Sequence, residues 1–371
     1  MQDINVGAIT SQVLWAAFAL AIAFGAIAQR THFCTMGAVA DIVNIGDWSR
    51  MRMWVLAIGV AMLGFNAMVA LGWVDAGKSL YAGPRLIWLS NAVGGLMFGF
   101  GMVLASGCGS KTLVRIGGGN LKSVVVFAVL GIAAFATLKG ITGVVRVATV
   151  DRVALEIAGG QDLPALAGAL FGLAKPQAAL MLGASIGGAL VTWVVMRAEG
   201  RSRDVLTGGI GIGAVIVAMW WVSGRLGYVA EDPSTLQEAF VGTNSQRMEA
   251  LSFVSPIAYS IDWLIFFSDK SKVLTIGIVT TAGVIVGSAL VALASRTFRW
   301  EGFGSAEDTG NHLVGAMLMG IGGVTAMGCT IGQGLSGLST LALGSFIAFA
   351  GIVAGAVLGV RYQVWRMERT A

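Results

Sequence analysis

Three cysteines are the residues of this chain with the most specific chemistry, and two of them end matching segments. Cys108 ends the apolar, glycine-rich stretch 93–108, and Cys329 ends the stretch 314–329. Eight positions are identical when the two stretches are superimposed, which indicates an internal duplication. Because the S–H group is a weak hydrogen-bond donor on a soft sulfur atom, thiols at equivalent places could hold a large polarisable ligand without trapping it.

Cys108 is followed by two cations at helical spacing. If residues 109–116 form a short helix, Lys111 and Arg115 lie on the face of the cysteine. The free amides at the start of such a helix, together with the two cations, would draw an anion towards the thiol. Gly107, directly before the cysteine, belongs to the same candidate site.

The surroundings of the other two cysteines differ in charge. Residues 328–340 around Cys329 carry no charged side chain, and Gly328 precedes the cysteine as Gly107 does in the first copy. Hydrogen-bond donors there would be backbone amides and the side chains of Thr330, Gln333, Ser336 and Ser339. Cys34 has its own neighbouring cation, Arg30. A cysteine in an apolar helix is ordinarily a small hydrophobic residue, and that alternative stays open for each of the three.

Other kinds of site are less well supported. The sequence has no Cys-x-x-Cys pair, and His32 and His312 are its only histidines, so a zinc site is disfavoured. An odd number of cysteines beside apolar runs does not suggest a disulfide framework. We therefore predict no catalytic residue, no metal and no other cofactor.

The composition determines which elements must position these residues. Hydrophobic residues make up 56% of the chain and charged residues 12%, with a mean hydropathy of +0.81. Soluble domains carry about 25% charged residues, so the fold class is predicted as an all-α polytopic membrane protein in contact with lipid. The net charge of +5 is then expected in loops, where it sets orientation, and it does not indicate nucleic-acid binding.

Apolar stretches of about 20 residues predict nine membrane crossings. They lie near 12–28, 53–73, 88–106, 122–138, 178–196, 206–222, 275–294, 312–328 and 341–360. With the N-terminus outside and the C-terminus in the cytoplasm, 14 of the 24 basic residues fall in cytoplasmic segments, as the positive-inside rule requires. Two further apolar segments, 164–174 and 251–267, could be re-entrant helices or could lie at the membrane interface.

This orientation inserts the two copies of the repeat in opposite senses. Inverted repeats with interrupted helices are typical of transporters, whose substrate site lies near the middle of the membrane. We predict one membrane domain over 1–371, with one repeat half at about 12–138, the other at about 206–360 and a linking region at about 139–205. A second similarity, between 29–34 and 295–300, joins the first and seventh spans, which are predicted to run in the same sense.

Residues 107–122 and 328–345 resemble the two signatures of the YeeE/YedE family of bacterial inner-membrane sulfur-compound transporters, and 30–34 resembles its N-terminal cysteine motif. The resemblance covers essentially the whole chain. It implies thiosulfate uptake through a central path lined by Cys34, Cys108 and Cys329. It also implies a small cytoplasmic TusA-like sulfur-carrier protein as partner. Some relatives are linked to selenium compounds, sulfide or polysulfide, so the transported species stays open.

Two other functions remain as alternatives. A thiol- or persulfide-transferring enzyme would need an activated thiolate beside cations, and Cys108 is the cysteine with clear cationic neighbours. A passive channel would share the architecture of a transporter. For ion coupling, Asp41 and Asp262 are the acidic residues nearest to the predicted spans, although both are expected to be boundary or loop residues.

Overall fold

Helices form almost all the regular structure of this chain. The structure, a computed structural model, describes residues 5–233 and 235–370. The helices of the first part are α1 (Val6–Arg30), α2 (Thr35–Ile45), α3 (Ser49–Ala70), α4 (Trp88–Leu104), α5 (Gly109–Gly117), α6 (Leu121–Lys139), α7 (Ile141–Ala148), α8 (Leu163–Phe171), α9 (Lys175–Leu182) and α10 (Gly188–Val195). The second part contains α11 (Arg203–Trp221), α12 (Ser255–Ile265), α13 (Ile276–Ala294), α14 (Ala306–Thr325) and α15 (Leu343–Thr370).

Short irregular elements complete these helices. A π-helical turn, Gly183–Gly187, joins α9 to α10, and another, Val222–Leu226, extends α11. Residues 330–339, between α14 and α15, are helical and include the π-helical turn Gly332–Gly337. Within the described residues, the 3-10 turns are Ala76–Lys78, Val150–Arg152 and Ala198–Arg201. Two small antiparallel sheets pair β1 (Arg85–Leu86) with β2 (Leu155–Glu156) and β3 (Tyr228–Val229) with β4 (Ala239–Phe240).

The fold class is confirmed as an all-α polytopic membrane protein. Among the described residues, eight helical stretches are long and apolar enough to cross a membrane. They are Val6–Ile45, Ser49–Ala70, Trp88–Gly117, Leu121–Lys139, Lys175–Val195, Arg203–Leu226, Ile276–Ala294 and Leu343–Arg369. The ninth predicted crossing, 312–328, coincides with α14, which has 20 residues but is less apolar because Glu307 and Asp308 occupy its first turn. We call the end of the bundle where α1 begins the N-terminal face, and the end where α15 finishes the C-terminal face.

The two copies of the glycine-rich repeat, α4 and α14, pack antiparallel with their backbones in contact. A Cβ atom added at Gly322 would lie 2.7 Å from the carbonyl oxygen of Gly94, and one added at Gly101 would lie 2.7 Å from that of Gly315. Gly94 and Gly315 are equivalent in the repeat, as are Gly101 and Gly322, so the two contacts are each other's counterparts. Small residues are what permit such close helix packing in a membrane.

The helices around α4 and α14 pack in corresponding pairs. α4 packs on α15 and α14 packs on α6, while α1 packs on α13 and α3 on α11. α1 and α13 run in the same direction, since Gly283 lies against Phe18 and Gly287 against Ile22. The similarity between 29–34 and 295–300 therefore joins two parallel helices and is separate from the antiparallel relation of α4 and α14.

The two ambiguous apolar segments adopt different structures. In α8, Pro164 is the buried residue, and Leu170 and Phe171 are 78% and 75% exposed, which favours an interfacial helix for 164–174. In α12, by contrast, the first turns are buried, including Pro256 and Ile257, which favours a re-entrant helix for 251–267. α12 also packs against α6 and α13, which shields its polar ends as a membrane interior requires.

Candidate functional site

Each cysteine follows the same backbone turn. The residue two positions before it has a left-handed conformation: His32 (φ 52°), Ser106 (φ 55°) and Met327 (φ 58°). A hydrogen bond from the next amide back into the preceding helix closes each turn, Phe33 N to Ala28 O at 3.1 Å, Gly107 N to Met102 O at 2.8 Å and Gly328 N to Gly323 O at 2.8 Å. These are helix-terminating turns in which glycine is usual at the left-handed position, and this chain uses other residues at all three.

A short helix begins directly after each cysteine. Cys34 is the N-cap of α2, Cys108 is the N-cap of α5, and Cys329 immediately precedes the helical segment 330–339. The sulfur of Cys34 accepts a hydrogen bond from the amide of Gly37, and that of Cys329 accepts one from the amide of Gly332, both at 3.4 Å. All three sulfur atoms therefore lie at the positive end of a helix, where free amides favour an anion.

The three thiols form a connected group in the interior. They are free cysteines, exposed by only 7% at Cys34, 1% at Cys108 and 0% at Cys329. Cys108 lies close enough to interact electrostatically with both of the others. Because α4 and α14 are antiparallel, Cys108 lies towards the C-terminal face and Cys329 towards the N-terminal face.

The cations predicted beside Cys108 lie where the helical spacing places them. α5 covers Gly109–Gly117, close to the predicted 109–116. A Cβ atom added at Gly107 would lie 3.1 Å from Lys111 Cγ and 3.9 Å from Arg115 Nη1, so both side chains lie over Gly107. Lys111 interacts electrostatically with Cys34 as well as Cys108. Arg30, by contrast, is exposed at the end of α1 and has His32 as its neighbour.

The predicted donors around Cys329 divide into two groups. Ser336 donates to Leu251 O at 2.7 Å and Ser339 donates to Ser336 O at 2.6 Å, so both hydroxyls hold the local backbone. Thr330 Oγ1 and Gln333 Oε1 are buried without a hydrogen-bond partner, while the amide nitrogen of Gln333 donates to Ala326 O. A buried polar atom without a partner is costly, which makes Thr330 and Gln333 the candidates for contact with a ligand.

Two features near the thiols were not predicted. Thr35 follows Cys34 as Thr330 follows Cys329, and its hydroxyl is likewise buried without a partner. The Cys-Thr pair at both places was the signal in the sequence. In addition, the backbone amide of Phe253, just before α12, approaches the sulfur of Cys329, a contact between distant segments that local sequence patterns do not indicate.

A cavity of about 190 Å³ opens above Cys329 at the N-terminal face, and we call it the vestibule. Its lining includes Tyr81, Arg146, Glu249, Ser252, Tyr259 and Met327. At its inner end, a Cβ atom added at Gly332 would lie 2.7 Å from Ser252 Oγ and 3.3 Å from Tyr81 Oη. The absence of a side chain at Gly332 therefore allows Ser252 and Tyr81 to pack closely against the helical segment that follows Cys329.

The remaining sequence candidates take structural positions. His312 Nδ1 lies 2.8 Å from Asp308 O, and its ring packs edge-on against Phe303. Within 5–233 and 235–370, no group of three His, Cys, Asp or Glu side chains could hold a metal ion. Asp41 forms an ion pair with Arg50 at 3.3 Å and Asp262 one with Lys272 at 2.6 Å, so each carboxylate already has a cation.

Comparisons with known proteins give a consistent result over most of the chain. The sequence profile of the family described as sulphur transport matches residues 30–358. The thiosulfate transporter TsuA of Escherichia coli (strain K12) is 28% identical over 321 residues, which cover 84% of this chain and 83% of that protein. The thiosulfate transporter TsuA of Spirochaeta thermophila is 26% identical over 349 residues, covering 91% and 94%. The probable transporter YedE of Salmonella typhimurium is 32% identical over 94 residues, covering 25% and 22%.

Proposed function

Because this chain belongs to the sulphur transport family, we propose that it carries thiosulfate, or a closely related sulfur anion, across the bacterial inner membrane. The observation that supports this most directly is the set of three buried thiols, each at the start of a short interrupted helix. Interrupted helices whose N-termini face an anionic substrate are a recurrent feature of transporters. The names of the two TsuA relatives supply the choice of thiosulfate.

The chemistry of the site suits such an ion. Thiosulfate has a soft terminal sulfur and hard oxygens. We propose that the S–H groups contact its sulfur, while helix amides and the hydroxyl of Thr330 contact its oxygens. The thiols stay protonated, since a thiolate would repel a dianion. Several weak sites in succession allow the ion to bind and to leave.

In the proposed direction of transport the ion passes Cys329, then Cys108, then Cys34. The N-terminal face is then periplasmic and the C-terminal face cytoplasmic. Lys111 and Arg115 attract the ion towards the cytoplasmic end, and Arg30 adds positive charge at that surface. A TusA-like carrier protein receives the sulfur compound there. Halves 12–138 and 206–360 move relative to each other about the α4–α14 contact, with 139–205 as the link.

The test is uptake of labelled thiosulfate, sulfide and selenite by vesicles containing the purified protein. Cys34→Ala, Cys108→Ala and Cys329→Ala should each reduce thiosulfate uptake at least ten-fold, because each removes one of the successive sites. Ser295→Ala, at the exposed end of α13, is the matched control and should transport normally. Saturable uptake of the intact ion supports a transporter, whereas flux that does not saturate would identify a channel.

A sulfur-transferring enzyme is the second candidate, because Lys111 lies beside Cys108 as a cation that could favour a thiolate. Such an enzyme would carry sulfur covalently on Cys108. A persulfide or mixed disulfide trapped on that residue during turnover, with no intact thiosulfate inside the vesicles, would support the enzyme and contradict transport.

A further inference from the structure

Glu249 is a carboxyl group of the vestibule with no cation beside it. It lies in the segment between α11 and α12, and its Oε2 accepts a hydrogen bond from Ser245 Oγ at 2.9 Å. Its own amide donates to Ser223 Oγ at 3.2 Å, which fixes the backbone against the end of α11. Among the described residues it takes part in no ion pair, in contrast to Asp41 and Asp262.

The groups that face Glu249 from neighbouring elements do not neutralise it. Arg146 of α7 shares the vestibule, but its Nε lies 3.5 Å from Asp151 Oδ2 and its charge is already matched. Tyr81, from the segment before α4, and Tyr259 of α12 interact with Glu249 as uncharged phenols. Arg247, two positions away in the chain, is exposed outside the vestibule lining.

The position of Glu249 matters for an anion. An ion that reaches Cys329 from the N-terminal face through the vestibule passes Glu249 first, and Ser252 and Tyr81, which pack against Gly332, must then move aside. A carboxylate there would repel a dianion strongly, since both lie in a partly desolvated space. A neutral carboxyl group would instead offer an O–H donor to an oxygen of the ion.

We propose that Glu249 is a proton-controlled gate for the substrate anion, which admits the dianion when its carboxyl group is protonated and excludes it when the group is ionised. This inference rests on the proposed function, because it requires an anionic substrate that enters through the vestibule. No covalent bond changes in the step: the carboxyl group gains a proton from the solvent at the N-terminal face and donates a hydrogen bond to the ion.

The titration of this group supports a role near neutral pH. Burial raises the pKa of Glu249 from its usual range to about 7, and the hydrogen bond from Ser245 opposes that change only in part. Below pH 7 the carboxyl group is therefore mainly neutral and the vestibule open to a dianion. Above pH 7 the neutral fraction falls about ten-fold per pH unit, and uptake should fall with it.

The experiment measures initial thiosulfate uptake from pH 6 to pH 9 in vesicles with equal pH on both sides and the membrane potential held at zero. Wild-type uptake should fall at least ten-fold across this range. The Glu249→Gln side chain stays neutral, so this variant should take up thiosulfate at all pH values without a fall in uptake as the pH rises. Glu249→Asp should keep a decline with a shifted midpoint. Glu238→Gln, which removes a carboxylate paired with Lys78 outside the vestibule, is the control and should behave as wild type.

The outcomes separate this inference from the function on which it rests. If wild-type protein takes up no thiosulfate at any pH, the proposed function is wrong. If wild-type uptake of thiosulfate does not depend on pH, or if uptake by Glu249→Gln falls with pH as wild-type uptake does, the proposed gate is wrong. The proposed transport of thiosulfate is then unaffected. If Glu249→Gln fails to fold, the pH profile of wild-type uptake and the midpoint of the Glu249→Asp profile still test the gate. An unchanged midpoint in Glu249→Asp would contradict it.

Discussion

At the scale of single residues, two threonines carry hydroxyl groups that the folded protein leaves without a partner. Thr35 and Thr330 each follow one of the buried cysteines, and each is buried with Oγ1 unbonded. We predict that Thr35→Val or Thr330→Val weakens thiosulfate binding about ten-fold or more, because a hydrogen bond to a charged ligand is worth about 1.5–3 kcal/mol. Stability should stay equal or rise, because each change removes a buried, unsatisfied polar atom. Binding by calorimetry and thermal unfolding would check both effects.

The matched control is a buried threonine whose hydroxyl is already used. Thr281 donates to Gly277 O at 2.9 Å within α13 and is 3% exposed. Thr281→Val should lower stability slightly and leave binding unchanged. If Thr330→Val instead destabilised the protein and bound thiosulfate normally, its hydroxyl would have a structural role.

The residues with distinctive chemistry could be recognised from the sequence, but their backbone geometry could not. Lys111 and Arg115 were placed correctly because helical spacing is a local property. The left-handed turns at Ser106 and Met327 were not predicted, because glycine is the usual signal for that conformation and neither residue carries it. Ser336 and Ser339 were predicted as donors for a ligand, but Ser336 bonds to Leu251 O, which only the folded chain brings near, and Ser339 bonds to Ser336 O within its own helical segment.

At the scale of helices, the antiparallel contact of α4 with α14 depends on missing side chains. Gly322→Ala would place a methyl group 2.6 Å from the amide nitrogen of Phe98. We predict a loss of about 1–3 kcal/mol of unfolding free energy, the usual effect of overpacking, and lower uptake if the halves move about this contact. Thermal unfolding in detergent and vesicle uptake would measure the two effects.

The control for this prediction lies in the same helix. Gly310 of α14 is exposed, and nothing lies within 4 Å of an added Cβ atom. Gly310→Ala should be neutral or stabilising by up to about 1 kcal/mol, since alanine favours the helix. Equal effects of the two substitutions would show that the α4–α14 contact tolerates a methyl group and does not depend on glycine.

The lengths of the apolar stretches predicted the positions of the helices, but they did not predict how each helix is buried. All nine predicted crossings coincide with helices because a span of about 20 apolar residues is a strong signal. α14 is less apolar than the other crossings, and its polar first turn is held near the C-terminal face, where Lys122 pairs with Asp308 at 2.9 Å. The difference between α8 and α12 depends on which helices cover them, and a single sequence does not contain that information.

At the scale of the whole molecule, orientation in the membrane can be tested with the native cysteines in place. All three are buried, so a newly introduced exposed cysteine should be the main target of a membrane-impermeant maleimide. We predict that Gln237→Cys, in the exposed segment 235–238 at the N-terminal face, is labelled in intact cells whose outer membrane is permeable. Gly302→Cys, exposed between α13 and α14, should be labelled only after the inner membrane is opened. The reverse pattern would invert the proposed topology.

The vestibule is formed by contacts that the sequence does not predict. Its lining comes from segments near residues 81, 146, 249 and 327, which are far apart in sequence. Glu249 lies in a polar connecting segment outside the apolar spans, where an acidic residue is ordinarily exposed to solvent. The raised pKa of this residue arises from burial by distant elements, and no local pattern reports that burial.

The burial of the three sulfur atoms also bears on how the protein withstands oxidants. Peroxides and similar reagents attack a cysteine in proportion to its ionisation and its access to solvent. In this structure the three sulfur atoms have almost no access to solvent, so burial itself protects these residues. Oxidation of the thiols would then occur mainly while the protein opens during transport. A molecule that transports continuously would therefore be inactivated sooner than one that does not.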